Sequence, residues 1–254
     1  MDNEMINREK VDILRREVLE IVKNRLNGSS LQESLGVTKK SDFSLVTLVD
    51  KEVSDMMHVQ FSDLINKEGL HFFSEEDQKS FGFPAIILDP IDGTRELSKG
   101  LGECSVSLAI MSSPSEGFAW LYNPFTGFEL SSADTWVEPV TYNEDRLFGY
   151  VSKGDMKKGL LDHLNDVDNV TIAARGSIAF KLGLLASGAC DFVYSKTPKN
   201  IWDIAAGTLL CWQRGYKLYQ VGREVSSLAD KKIAGELIWC REECAEVLHN
   251  SLVK

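Results

Sequence analysis

Two carboxylates three positions apart, Asp89 and Asp92, follow the apolar run Ala85-Ile86-Ile87-Leu88 and precede Gly93-Thr94. The run reads as a buried strand of about four residues. The polar stretch Arg95-Glu96-Leu97 behind it is compatible with a helix. A strand end opening into a helix start exposes unpaired backbone N–H groups, which with the helix dipole favour an anion. Gly93, lacking a Cβ, lets the backbone approach such an anion closely. Asp89 and Asp92 are hard oxygen donors that can hold a divalent cation against it. Together with the Thr94 hydroxyl, this set points to metal-assisted phosphate chemistry. The plainer reading is a strand–turn–helix connection, because Asp-Pro and Asp-Gly pairs form turns and Asp caps helices.

Acids recur at other element ends. Asp50 follows an apolar run over residues 45–49 and precedes a helical pattern of Val53, Met56, Met57, Phe61, Leu64 and Ile65, which makes it an N-cap. Glu75-Glu76-Asp77 follows the short strand His71-Phe72-Phe73. Adjacent like charges of this kind sit either on a solvated loop or around a cation. Asp203 lies at the start of the helix opened by Trp202, where a cap or a metal site can use it.

The elements that must carry these residues follow from periodicity. Residues 5–26 form an amphipathic helix stopped near Asn27-Gly28, and 29–37 a loop or short turn. After the central motif, strands at 104–110, 117–122 and 128–130 make an antiparallel meander. The polar stretch 131–145 is the best boundary. Beyond it come strands at 147–151 and 170–173 with a helix at 157–164 between them. Arg175-Gly176-Ser177 opens a helix stopped by Gly188, then come a strand at 191–194, a loop at 196–201, and a final helix near 241–252. This order is α+β rather than strict βαβ alternation.

The chain has 254 residues, 43% hydrophobic and 26% charged, enough for a sizeable core in one large domain or two packed halves. A net charge of −10 argues against a nucleic acid polymer or an anionic membrane as partner. No apolar run approaches a membrane span, and the polar start, Met1-Asp2-Asn3-Glu4, has no signal-peptide pattern. Five cysteines without zinc spacing, Cys240 and Cys244 among them on one expected helix face, read as buried thiols. The expectation is a cytoplasmic protein. None of the four histidines, His58, His71, His163 and His249, falls in a motif.

Ser74-Glu75-Glu76, Asp89-Pro90-Ile91-Asp92-Gly93-Thr94 and Ile201-Trp202-Asp203-Ile204-Ala205-Ala206-Gly207 resemble the three signatures of the inositol monophosphatase family of magnesium-dependent, lithium-sensitive phosphomonoesterases. Lys40-Ser41-Asp42, Val46-Thr47 and Asp50 match a fourth element. In Ser-Glu-Glu-Asp, Arg95-Glu96-Leu97 and Asn200-Ile201-Trp202-Asp203 the chain is similar to the 3'(2'),5'-bisphosphate nucleotidases, while the spacing from Gly176-Ser177 to Gly188 is more like inositol monophosphatases. The resemblance implies a layered αβαβα sandwich. An N-terminal half, 1–140, would carry most metal ligands, and a C-terminal half, 141–254, would supply Asp203. It also implies a possible homodimer and two or three Mg²⁺ ions: one on Glu75, Asp89 and the Ile91 carbonyl, one on Asp89, Asp92 and Asp203, and a looser one involving Glu75 and Asp50. Thr94, with Asp50 or Glu75, would orient the attacking water, and the N–H groups of Gly93 and Thr94 would hold the phosphate.

Lys196 and Lys199 stand where inositol monophosphatases usually carry an acid before Trp-Asp, and Arg175 adjoins the Gly176-Ser177 helix start. These could neutralise a second phosphate, so the expected substrate is a small metabolite such as 3'-phosphoadenosine 5'-phosphate. An inositol or other sugar phosphate is the alternative, and a non-catalytic phosphate and metal sensor the non-enzyme one. A haloacid-dehalogenase-type phosphatase needs Asp-x-Asp, and here the two acids are three apart.

Overall fold

The computed structural model describes residues 6–26, 31–39, 45–78, 81–137, 146–163, 167 and 169–252. The expected helix stop at Asn27-Gly28, the Lys40-Ser41-Asp42 motif and most of the expected boundary lie outside them. In chain order the first part holds α1 (Arg8–Leu26), α2 (Leu31–Leu35), β1 (Thr38–Lys39), β2 (Leu45–Val46), α3 (Leu48–Gln60), α4 (Ser62–Glu68), β3 (His71–Ser74), β4 (Ala85–Asp92) and α5 (Thr94–Leu97). Next come β5 (Ser105–Ser113), β6 (Glu116–Tyr122), β7 (Glu129–Ser131), β8 (Leu147–Ser152), α6 (Lys153–Lys157), β9 (Val170–Arg175) and α7 (Ile178–Ala186). The rest holds β10 (Phe192–Ser195), β11 (Lys199–Asn200), α8 (Ile201–Gln213), β12 (Lys217–Gln220), β13 (Arg223–Val225), β14 (Lys232–Ile233), β15 (Leu237–Cys240) and α9 (Glu242–Leu252).

Strand alternation builds the layers, because successive side chains point to opposite faces. On β4, Ile86 and Leu88 join α1 and α3 in one core, while Ala85 and Ile87 face α7 and α8 in another. β5 and β6 divide the same way, with Leu108 and Trp120 on the first side and Ala109 and Ala119 on the second. In the other sheet, Val193 and Trp239 meet α7 and α8, and Tyr194 and Ile238 face α9. Five layers result, α-β-α-β-α: an α/β fold with mixed sheets. The five-stranded sheet runs β3-β4-β5-β6-β7 and the six-stranded sheet β13-β12-β15-β10-β8-β9. The central helices pack closely; a Cβ on Gly207 of α8 would come within 2.5 Å of Leu182 Cβ on α7.

Several elements differ from expectation for local reasons. The central strand extends to Asp92, because Asp89 and Asp92 still pair with Ser107 and Ser105 across an irregularity that accommodates Pro90-Ile91. Helix α1 starts at Arg8, with Asn7 Oδ1 accepting from Lys10 N–H at 3.0 Å. Residues 31–35 form a short helix, α2. Thr47, not Asp50, is the N-cap of α3, so Leu48 and Val49 belong to its first turn and not to a strand. The helix expected to run on to Ile65 is interrupted at Phe61. In place of the helix expected over 157–164 the chain forms α6, which begins at Lys153 because Ser152 Oγ accepts from Gly154 N–H at 3.1 Å and ends at Lys157. Cys240 ends β15 while Cys244 lies in α9, so the two do not share a helix face.

Candidate active site

Three elements deliver the acids. β3 and β4 are parallel, so both strands end at one edge of the sheet, and Glu75 N–H donates to Leu88 O at 3.1 Å. Asp89 and Asp92 lie at the end of β4. Asp203 sits in the first turn of α8, which is tied to β5 by Ser107 Oγ donating to Trp202 O at 3.1 Å. One oxygen from each of Asp89, Asp92 and Asp203 lies within 4.8 Å of the others. These three and Glu75 line a cavity of about 340 Å³.

Among the described residues, hydrogen bonds orient Asp89, Asp92 and Asp203 through one oxygen of each. Asp89 Oδ1 accepts from Ile91 N–H at 3.0 Å. Asp92 Oδ2 accepts from Ser177 Oγ at 2.7 Å and from Ala179 N–H at 2.6 Å. Asp203 Oδ2 accepts from Asn200 N–H at 3.2 Å. Ser177 holds φ +47, rare for a side-chain-bearing residue, and also accepts from Phe180 N–H. Its hydroxyl is thus committed to Asp92 and to capping α7.

Asp50 does not line the cavity. Its Oδ2 accepts from both the N–H and the hydroxyl of Thr47, and its Oδ1 lies 3.0 Å from Thr94 Oγ1. Thr94 Oγ1 is also 3.0 Å from the Ile91 carbonyl, so its single proton is shared between the two acceptors. Gly93 has φ +100, and a Cβ there would come within 2.7 Å of Glu103 O. The turn therefore requires glycine on both counts.

The acids repel. Burial, and then the charges of Glu75, Asp92 and Asp203, push Asp89 well above the usual carboxylate range. Burial and Asp92 push Asp203 up to about 8. Asp92 is also raised by burial, against the opposing effects of Ser177, Ala179, Lys181 and Lys199. Two unit charges 4 Å apart interact by about 4 kcal/mol at an effective dielectric of about 20. A divalent cation on these oxygens removes that repulsion, and an all-oxygen set suits a hard ion. Asp89, Asp92 and Asp203 can therefore coordinate a divalent metal.

The other charged residues of the lining are mostly basic. Beyond the four acids, Arg95, Lys153, Arg175, Lys181 and Lys199 face the cavity with Glu96 as the remaining carboxylate. Arg175, Gly176 and Ser177 line it as well. Lys196 does not; its ammonium pairs with Glu236 at 3.2 Å. Sequence reasoning missed Lys153 and Lys181. The second had a signal, since Lys181 lies four residues after Ser177 in the apolar run Ile178-Ala179-Phe180-Lys181-Leu182, on the face that meets the site. Lys181 is 3% exposed, its Nζ donates to Arg175 O at 3.1 Å, and burial lowers it to about 8.

Comparison with known proteins places the chain in one family. The profile of the inositol monophosphatase family matches residues 2–252. The chain is 25% identical over 202 residues to a histidinol-phosphatase of Streptomyces coelicolor, covering 71% of this chain and 75% of that one. It is 24% identical over 202 residues to the 3'(2'),5'-bisphosphate nucleotidase CysQ of Buchnera aphidicola, covering 74% and 75%. Its fold superposes on an IMPase of Thermotoga maritima with a TM-score of 0.70 at 20% identity, covering 96% of each chain. Among the described residues no helix is long and apolar enough to cross a membrane. The chain belongs to the inositol monophosphatase family and is a metal-dependent phosphomonoesterase of that group.

Proposed function

We propose that the chain uses Mg²⁺ to release inorganic phosphate from a small metabolite bearing a second anionic group, with 3'-phosphoadenosine 5'-phosphate as the leading candidate. The observation that carries this reading is the charge of the cavity. In a chain of net −10, five basic side chains and one carboxylate line it beyond the metal-ligand cluster. One phosphate held at Gly93 and Thr94 leaves part of that positive charge unmatched.

Glu75, Asp89, Asp92, Asp203 and the Ile91 carbonyl would hold Mg²⁺, which when bound neutralises phosphate charge and acidifies water. Thr94, donating to Asp50, keeps its oxygen lone pairs for a proton of the attacking water. Asp50 thus acts through Thr94 and fixes its rotamer, instead of joining the looser metal site. The N–H groups of Gly93 and Thr94 face the phosphate. Lys153, Arg175 and Lys199 face the distal group, buried Lys181 is committed to Asp92 and the Arg175 carbonyl, and Lys196 has no part in this reading. The half 1–140 brings Glu75, Asp89 and Asp92, and the half 141–254 brings Asp203 and most of the cations.

An inositol or other sugar monophosphate is the second reading. It is favoured by Glu103, whose carboxylate already offsets part of the charge of Lys153 and Arg175. Phosphate release with Mg²⁺, measured side by side on 3'-phosphoadenosine 5'-phosphate and inositol 1-phosphate with and without lithium, separates them. Faster turnover of the nucleotide supports the first; faster turnover of the inositol ester supports the second. Binding of either without release would favour a sensor.

A further inference from the structure

Glu103 does not line the cavity, yet it holds three groups that do. Its Oε2 accepts from Gly176 N–H at 2.7 Å and from Lys153 Nζ at 2.5 Å. Its Oε1 lies 3.7 Å from the Arg175 guanidinium, which also packs over the Tyr150 ring at 5.0 Å. Burial pushes the Glu103 carboxyl up, but Lys153, the Gly176 N–H and Arg175 together hold it below the usual range, so it is ionised at neutral pH. The same residue backs the phosphate loop from the other side, where its carbonyl leaves no room for a Cβ on Gly93. One residue of the connection between α5 and β5 therefore touches Gly93 with its backbone. With its side chain it touches the start of α6 and the turn before α7.

Lys and Arg side chains lose rotamer freedom when they bind an anion, and ordering them beforehand removes that cost from the binding step. Glu103, in contact with both cations, is placed to do so here. The Lys153 and Arg175 side chains stay 37% and 39% exposed, enough to meet a ligand. Glu103 and Glu96, which packs against Gly176, stand against Lys153, Arg175 and Lys199, so one positive charge is left over on the cavity side.

We propose that Glu103 is a positioning residue that builds a second anion subsite. It fixes Lys153, Arg175 and the Gly176 turn at a set spacing from Gly93, to receive a phosphate or sulfate group distal to the ester being hydrolysed. This rests on the two-anion substrate reading above.

The test compares wild type, Glu103→Ala and Glu103→Gln on adenosine 3',5'-bisphosphate and adenosine 3'-monophosphate, substrates that differ only in the distal phosphate. The wild type prefers the bisphosphate. In Glu103→Ala the bisphosphate-to-monophosphate ratio of kcat/KM falls about tenfold, carried by KM for the bisphosphate and not by kcat, as expected for lost binding. Glu103→Gln keeps an acceptor for Gly176 but loses the charge, and falls between. If Glu103→Ala does not fold, as judged by circular dichroism, the glutamine variant makes the same comparison. A wild type without bisphosphate preference overturns the substrate reading, and the subsite with it. A preference that survives both substitutions, or parallel losses on both substrates, overturns the role of Glu103 alone.

Discussion

Ser177 Oγ donates to Asp92 Oδ2 at 2.7 Å, joining the end of β4 in the first sheet to the N-cap of α7 in the central helical layer. The metal-ligand cluster is thus assembled across layers, and a residue 85 positions away orients one of its carboxylates. Ser177→Ala removes both the donor and the cap. The expected loss is about 1 kcal/mol in stability and roughly tenfold in Mg²⁺ affinity, as for other groups that orient a metal ligand. Ser177→Gly relieves the positive φ and should lose the same metal affinity with a smaller drop in Tm. Melting curves and Mg²⁺ activation curves on both variants check this. Unchanged Mg²⁺ activation would show that the bond to Asp92 is dispensable.

Thr94 and Asp50 are predicted to act as one unit. Thr94→Ala should lower kcat by roughly 10²–10³ while leaving the Mg²⁺ activation midpoint near wild type. Asp50→Ala should lower kcat similarly and also cost about 1 kcal/mol of stability, because it breaks the capping box with Thr47. The double variant should be little worse than either single one. Additive losses would mean that Asp50 acts independently of Thr94.

Metal and pH should be linked. Burial with Glu75 and Asp92 pushes Asp89 well above the usual carboxylate range, and burial with Asp92 pushes Asp203 up to about 8. Unfolded, both sit near 3.9. A carboxyl raised on folding binds its proton more tightly in the native state. This contribution therefore favours the fold at low pH and is lost as pH rises from about 4 to about 8. A divalent cation needs the ionised form and replaces the proton. The rise in Tm on adding Mg²⁺ should accordingly grow between pH 5 and pH 8. A rise that is flat or shrinks over that window would argue against metal binding at these acids.

Gly207→Ala tests the central layer. The new Cβ would meet Leu182 Cβ at 2.5 Å, so α7 and α8 must separate. Overpacking of this kind costs about 1–3 kcal/mol. A lower Tm by thermal denaturation is expected, and an unchanged Tm would show that the helices can yield there.

The metal-ligand candidates were legible because their signals are contiguous. Asp89 and Asp92 share one motif with Gly93 and Thr94, and Glu75 and Asp203 each sit at an element end marked by an apolar run. The neighbouring strands of the first sheet were equally plain, β4 as the apolar run Ala85 to Leu88 and β5 as the alternation from Val106 to Ile110. The cations of the cavity were not legible as a group. Lys153, Arg175, Lys181 and Lys199 come from four segments, and only the tertiary fold brings them to one cavity. Lys196 and Lys199 are three apart between β10 and α8, and no sequence rule says which turns inward; Glu236, the partner of Lys196, is the residue before β15. Asp50 was misread as the cap itself because Leu48 and Val49 extend an apolar strand pattern, whereas Thr47 and Asp50 form a box spaced for the first helical turn.

The most direct test of the central claim is phosphate release by Asp92→Asn beside wild type across a Mg²⁺ titration, with Tm recorded on the same samples. Asparagine keeps an oxygen for Ser177 and Ala179 but gives up the charge a cation needs. The expected result is a folded protein with a Tm near or above that of the metal-free wild type, and turnover reduced at least about a thousandfold, on the order of the loss when a catalytic electrostatic element is removed. Wild-type turnover with the same Mg²⁺ dependence would contradict it.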